Sequence, residues 1–309
     1  MPSVNPFSYS EKIPTFNLRL VKQNKHWRHH QVEFPVASAN CYHGGEIARG
    51  EYFEPLKNAK IPLAILIHGW GDHSVLPFKW MADGLLKRGI ACFVLYLPFH
   101  ASRLPDEMKP RLNNLTPDEW FTGYQMAVTD IRFIIDWAAQ NDHIDKDKII
   151  VIALSLGAFV SSIAMGIDPR IKAGVFIVNG GNSGKIMQLN RVSYLKKDYR
   201  LPEAAYREKQ KKYAQYLIDI ADKGFENVEP EQKSYLIDPL TYAPMLQKRP
   251  VMMINALWDE VIPQEASLDF WKACGQCERV SFPSTHASIW LWYPLIIRRI
   301  NKFLKTALS

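Results

Sequence analysis

Cysteine is scarce: four in 309 residues cannot form the disulfide framework of a secreted scaffold at this length. Cys274-Gly275-Gln276-Cys277 has the C-x-x-C spacing, but it follows a helix-like run, residues 264–273, whereas a redox pair opens a helix after a strand. Gly275 therefore reads as a helix C-terminal cap. The opening MPSVNPFSYSEKIP has neither an apolar core nor a cleavage pattern, so no secretory leader is expected. With reduced cysteines, that predicts a cytoplasmic location. Charge of one sign is not strongly in excess. The net +7 is partly gathered in residues 183–246 and never forms a basic stripe interleaved with aromatics, so a nucleic-acid partner is not expected.

Uninterrupted apolar sequence is also short. The uncharged run from Ile149 to Ile167 approaches the roughly 20 residues of a membrane span. Ser155, Gly157, Ser161, Ser162 and Gly166 break it, and Asp168-Pro169 closes it. Trp290, Trp292 and Tyr293 are expected to pack against the body of the protein, and membrane association is not expected. His26, His29 and His30 lack a carboxylate or cysteine spaced to complete a metal site.

What is present is a core-forming composition, 47% hydrophobic, arranged as strands alternating with helices. Residues 1–60 read as edge-type strands at Asn17–Lys22, Gln31–Val36 and Glu46–Tyr52. Strands follow at 62–67, 90–97, 149–152, 173–178, 250–257 and 278–282, the first three read as buried. Helices are expected at 76–88, 117–139 with Thr116 as cap and Pro117 in the first turn, after 263, and at 294–304. This alternation predicts a single α/β domain, a mainly parallel central sheet with helices on both faces. Residues 183–246 change to long, charged, helix-period sequence bearing Lys185, Arg191, Lys196, Lys197, Arg200 and Arg207, and read as a helical insertion outside the sheet. Such sheets bind ligands at the carboxyl ends of their strands.

The sequence becomes specific at those ends. Ile149-Ile150-Val151-Ile152 runs into Ala153-Leu154-Ser155-Leu156-Gly157-Ala158, after which an apolar-small helical pattern resumes. Strand, sharp turn and helix around one serine form the layout of a nucleophile elbow, where crowding demands small residues two places either side of the serine. Ala153 stands at the first of these, where the motif has glycine. A serine hydroxyl needs a base to take its proton, usually a histidine held by a carboxylate. His286 follows the last strand, and Asp259 follows the strand before it. Asp238 and Glu260 are the other carboxylates to weigh. At the end of an earlier strand, His68-Gly69-Trp70-Gly71-Asp72-His73 makes a glycine-rich turn whose backbone N–H groups can face a ligand.

The order Ser155, Asp259, His286 with these motifs resembles the α/β-hydrolases, from about residue 60 onward. The nearest branch is that of dienelactone hydrolases, small esterases and prolyl-oligopeptidase-type catalytic domains. The resemblance implies Ser155 as nucleophile, His286 as general base then acid, and Asp259 as the orienting carboxylate. It also implies an oxyanion hole from the backbone N–H groups of Trp70 and Leu156, and a cap at residues 183–246. No metal or organic cofactor is implied. The partner is a small-molecule acyl substrate, with His68, Gly69, Gly71, His100 and Arg103 as candidate contacts; His100 and Arg103 could equally hold their loop together. A carboxylic ester is the expected substrate. A prolyl-oligopeptidase-like peptidase, a thioesterase, a lactonase and a non-catalytic binding module remain alternatives. An aspartate nucleophile is disfavoured by the serine at the elbow.

Overall fold

The computed structural model describes residues 5–9, 12–36, 41, 45–57, 59–71, 75–192 and 200–309. Asp72, His73, Lys196 and Lys197 lie outside them. A nine-stranded sheet forms the centre. Three antiparallel strands open it: β1 (Asn17–Gln23), β2 (Trp27–Pro35) and β3 (Ile47–Pro55). β2 begins four residues before the expected Gln31 because Trp27–His30 continue the same ladder against Glu54, Phe53 and Tyr52. Of these three only β1 is an edge; β3 pairs antiparallel with β5 (Ala91–Leu95) and so joins the rest.

From there all pairings are parallel, in the order β5, β4 (Ile61–Ile67), β6 (Ile144–Leu154), β7 (Ile171–Ile177), β8 (Val251–Ala256), β9 (Glu278–Phe282). Every residue of β5 and β8 is buried, which is why both read as continuous apolar runs and not as alternating ones. Alternation persists as a choice of side. Leu63, Ile65 and Ile67 of β4 join one core with α2 (Pro117–Ala139), α3 (Leu156–Ile167) and α7 (Gln264–Ala273). Ala64 and Leu66 join the other, with α1 (Leu76–Leu86) and α8 (Tyr293–Ala307).

Local signals fixed several boundaries. Thr116 Oγ1 accepts the Glu119 N–H (3.2 Å), and the Thr116 N–H donates to Glu119 Oε2 (2.6 Å), a reciprocal cap that starts α2 at Pro117. Gly275 has φ 85°, the left-handed geometry of a residue just past a helix end. Between β7 and β8 lie α4 (Ser183–Leu189), α5 (Glu203–Lys223), α6 (Pro239–Tyr242) and short turns, and no described residue there joins the sheet. Trp290 packs on Phe78, Trp292 on Phe282 and Tyr293 on Trp80.

The antiparallel strands are tied to α1 by one buried carboxylate. Glu51 on β3 accepts hydrogen bonds from His29 Nε2 (2.9 Å), Lys79 Nζ (2.5 Å) and the Tyr96 hydroxyl. Burial alone would raise its pKa, but these three donors outweigh it and bring the group from the usual 4.5 down to about 2. A carboxylate depressed on folding stabilises the protein above its unfolded pKa and loses that contribution as pH falls through the folded one. At about 1.4 kcal/mol per tenfold change in proton affinity, Glu51 contributes up to about 3 kcal/mol at neutral pH. The wild type should therefore lose melting temperature more steeply than Glu51→Gln between pH 4.5 and about 2, the two converging at the acid end. Thermal melts of both proteins across that range check this; parallel curves would refute it.

Candidate active site

Ser155 lies between the last residue of β6 and the first of α3, with φ 49° and ψ −118°. A non-glycine residue at positive φ is strained, and here the strain is held by what surrounds it. The Ser155 N–H donates to the Ile177 carbonyl on β7 (2.9 Å), and its own carbonyl accepts the Phe159 N–H (3.0 Å) as the helix begins. The turn has no room at Gly157, where a Cβ would lie 2.3 Å from the His68 carbonyl and 2.5 Å from that of Ile67. Ala153 is accommodated because it is still within the ladder, opposite Ile67 and Phe176.

The residues that follow β8 and β9 meet this serine. His286 Nε2 stands 2.9 Å from Ser155 Oγ, and His286 Nδ1 stands 3.0 Å from each carboxylate oxygen of Asp259. A carboxylate beside Nδ1 fixes the proton there, leaving Nε2 to accept from the serine hydroxyl. Asp259 is itself anchored, its Oδ1 accepting the N–H groups of Val261 (2.9 Å) and Ile262 (2.7 Å). Glu260 also takes part: its Oε2 accepts the His286 backbone N–H (3.0 Å), holding the loop and not the ring. Nothing in the sequence marked that contact, since adjacent carboxylates are indistinguishable until the loop is folded. Asp238 is remote from this group. It caps the insertion, with Oδ1 accepting from Asn182 N–H (2.8 Å) and Leu240 N–H (2.9 Å), and Oδ2 from Ser183 N–H (2.5 Å).

The loop after β4 faces the same serine. A Cβ on Gly69 would lie 3.2 Å from the Ser155 Cβ. Leu156 supplies the first backbone N–H of α3, a position with no intrahelical acceptor. Behind this loop lie three residues expected to contact substrate. His68, His100 and Arg103 are all buried. His68 Nδ1–H donates to the Gly69 carbonyl (2.7 Å), and its Nε2 accepts the Leu97 N–H (3.0 Å). Burial, with the neighbouring His100 and Arg103, pulls the His68 pKa down to about 3, so the ring stays neutral and can both give and accept. His100 donates to the Pro98 carbonyl (2.8 Å) and stands edge-on to both His68 and Trp70. Arg103 binds Asp130 of α2 (2.8 Å) and the Tyr96 carbonyl (2.7 Å). Contrary to the expected role as substrate contacts, these three side chains are buried behind the glycine-rich loop and bonded to the protein, with almost no surface open to a substrate. Of the five candidate contacts only Gly69 and Gly71 remain on the loop itself.

Two cavities share Trp120, and the smaller reaches the loop at Trp70. A small apolar one is walled by Trp70, Phe99, Trp120, Tyr124, Leu156 and Val160. The second, about 450 Å³, lies between the start of α2 and the insertion, with Trp120, Met187, Tyr206, Lys209, Tyr213 and Lys233 among its walls. Trp120 belongs to both and packs on Trp70 (4.9 Å between rings). No periodicity in the sequence singles out Trp120, which reads there as one more apolar residue of α2.

The family model described as "Alpha/beta hydrolase domain containing 18" matches residues 44–229. The chain belongs to that family. The alpha/beta hydrolase domain containing 18 match takes in the Gly69 loop, Ser155 and most of the insertion, and ends before Asp259 and His286. A relative, Esterase YjfP of Escherichia coli (strain K12), is 22% identical over 228 residues, 72% of this chain and 78% of that protein. Among solved structures, acetyl xylan esterase from Paenibacillus sp. R4 superposes with a TM-score of 0.69 at 16% identity, covering 94% of this chain and 90% of that one. A cold-adapted esterase from an Arctic intertidal metagenomic library gives 0.59 at 15% identity, covering 96% and 98%. These structures share the α/β-hydrolase fold with this member of the alpha/beta hydrolase domain containing 18 family.

Proposed function

We propose that the chain is a serine hydrolase that cleaves carboxylic esters through an acyl-enzyme on Ser155. The observation that carries this reading is the chain of contacts from Ser155 Oγ through His286 to Asp259, built on a strained serine at a strand end. In the first half-reaction Ser155 Oγ attacks the ester carbonyl as its proton passes to His286 Nε2. Charge developing on the carbonyl oxygen is met by the backbone N–H groups of Trp70 and Leu156. His286 then returns the proton to the departing alcohol. Water enters, His286 takes its proton, and hydrolysis of the acyl-enzyme frees Ser155. Asp259 keeps the imidazole in the tautomer these steps need.

Residues 183–246 act as a cap. The cavity of about 450 Å³ between them and α2 is of the size that holds a small organic molecule. The narrow apolar space beside Trp70 and Leu156 favours short to medium acyl chains. The esterase names of the relative and the solved structures agree with an ester over a peptide bond.

A fluorophosphonate probe followed by peptide mapping tests the mechanism: one adduct is expected, on Ser155. Alongside it, acyl esters of graded chain length should be turned over while an aminopeptidase-type amide is not. Label on another residue, or none on folded protein, overturns the reading.

A further inference from the structure

The exposed large apolar side chains are not scattered. Leu76 and Trp80 stand one turn apart on α1, 51% and 55% exposed; Leu291 and Leu295 flank the start of α8, 82% and 43% exposed. Both helices pack into the same core layer, and Trp80 meets the ring of Tyr293 (6.5 Å), which lies two residues from both Leu291 and Leu295. Both helices start where the strands end, so the patch borders the rim that carries the His286 loop. On the same rim Trp258 is 61% exposed, its backbone N–H donating to the Ser284 carbonyl two residues before His286 (3.0 Å).

Charge lies beside it in an ordered way. The solvent face of α8 runs from Leu291 and Leu295 to Arg298, Arg299 and Lys302. These three cations share with Leu295, Val280 and Phe282 the walls of a cleft of about 460 Å³ between α8 and β9. No carboxylate lines that cleft, and no ion pair among the described residues engages the three cations. The nearby acid on α1, Asp83, is already paired with Lys87 (2.7 Å), and Glu278, which opens β9, does not line the cleft.

Five large apolar side chains exposed along one rim, beside three cations with no ion pair among the described residues, are more than scattered surface exposure. An amphipathic boundary accommodates both: apolar tips enter the acyl region while cations one and two turns away meet phosphate. We infer that this face docks on a bilayer bearing anionic phospholipids, with the rim of the catalytic site turned toward the membrane. The expectation from sequence was the opposite, because Trp290, Trp292 and Tyr293 do pack inward; the exposed residues are their neighbours.

The test is co-sedimentation of the full chain with phosphatidylcholine vesicles, with and without phosphatidylglycerol, at low and high salt. Binding is expected only with phosphatidylglycerol, and weaker in salt. Each basic side chain near an anionic surface is worth roughly fivefold in partition, so Arg298→Gln/Arg299→Gln/Lys302→Gln should lose about a hundredfold. Trp80→Ser/Leu291→Ser should lose at least about tenfold. Thermal melts confirm that both variants fold. Absence of binding to phosphatidylglycerol vesicles at low salt overturns the inference, as does binding that survives both variants. A concentration-dependent dimer abolished by Leu291→Ser, without vesicle binding, would assign the face to a second copy and also overturn it. Sedimentation does not depend on catalysis, so this outcome is separable from that of the Ser155 labelling.

Discussion

Replacing His286 with alanine is expected to lower ester turnover by about a millionfold, as removal of the base does in a serine protease of unrelated fold. Without an acceptor 2.9 Å from its hydroxyl, Ser155 would have to lose its proton to water. The substitution should leave the fold intact. His286 lies on a loop, and the buried Asp259 carboxylate that it leaves still accepts the N–H groups of Val261 and Ile262. Turnover of a soluble acyl ester, probe labelling and a thermal melt on the same preparation read all three quantities. A folded His286→Ala that kept a hundredth of wild-type turnover would show that the histidine is not the base that activates Ser155.

Asp259→Asn is expected to cost about ten-thousandfold in turnover with little change in stability. Asparagine Oδ1 can keep both backbone N–H bonds, but its amide presents a donor to His286 Nδ1 and favours the tautomer with the proton on Nε2, the wrong nitrogen. Glu260→Gln gives the contrast. Its side-chain oxygen can still accept the His286 N–H, so turnover should stay within about tenfold of wild type, roughly 1.4 kcal/mol on the barrier. Asp238→Asn should be felt in the melt and not in the chemistry, because that carboxylate caps the insertion. If Asp238→Asn proved crippling in folded protein while Asp259→Asn stayed active, the assignment of the orienting acid would be wrong.

The parts of this protein legible in its sequence are those set by local chemistry. The strand runs that are buried on both faces, Thr116-Pro117 at the start of α2 and Gly275 past the end of α7 all act through near neighbours, and each lies where the sequence places it. The serine turn was legible for the same reason, since its steric demands fall within five residues. Contacts made across the fold were not. Arg103 finds Asp130 on α2, and His68 reaches Leu97 on the next loop, so two polar residues that looked available to a substrate are consumed as internal struts. The start of β2 was missed because pairing with β3, and not the composition of Trp27–His30, makes those residues a strand. The apolar patch was missed because exposure is a property of packing. Leu291 and Ile289 look alike in sequence, yet one is buried and the other projects from the surface.

Ser155 and His286 are 131 residues apart in the chain and within one hydrogen bond in space. Between them come the whole insertion and three strands that must add to the sheet in turn, β7, β8 and β9. A chain still on the ribosome with its first two-thirds folded would already hold the strained serine, but no base to activate it. On the proposed mechanism the serine is therefore assembled before its base, and β9 with the loop that follows it completes the site.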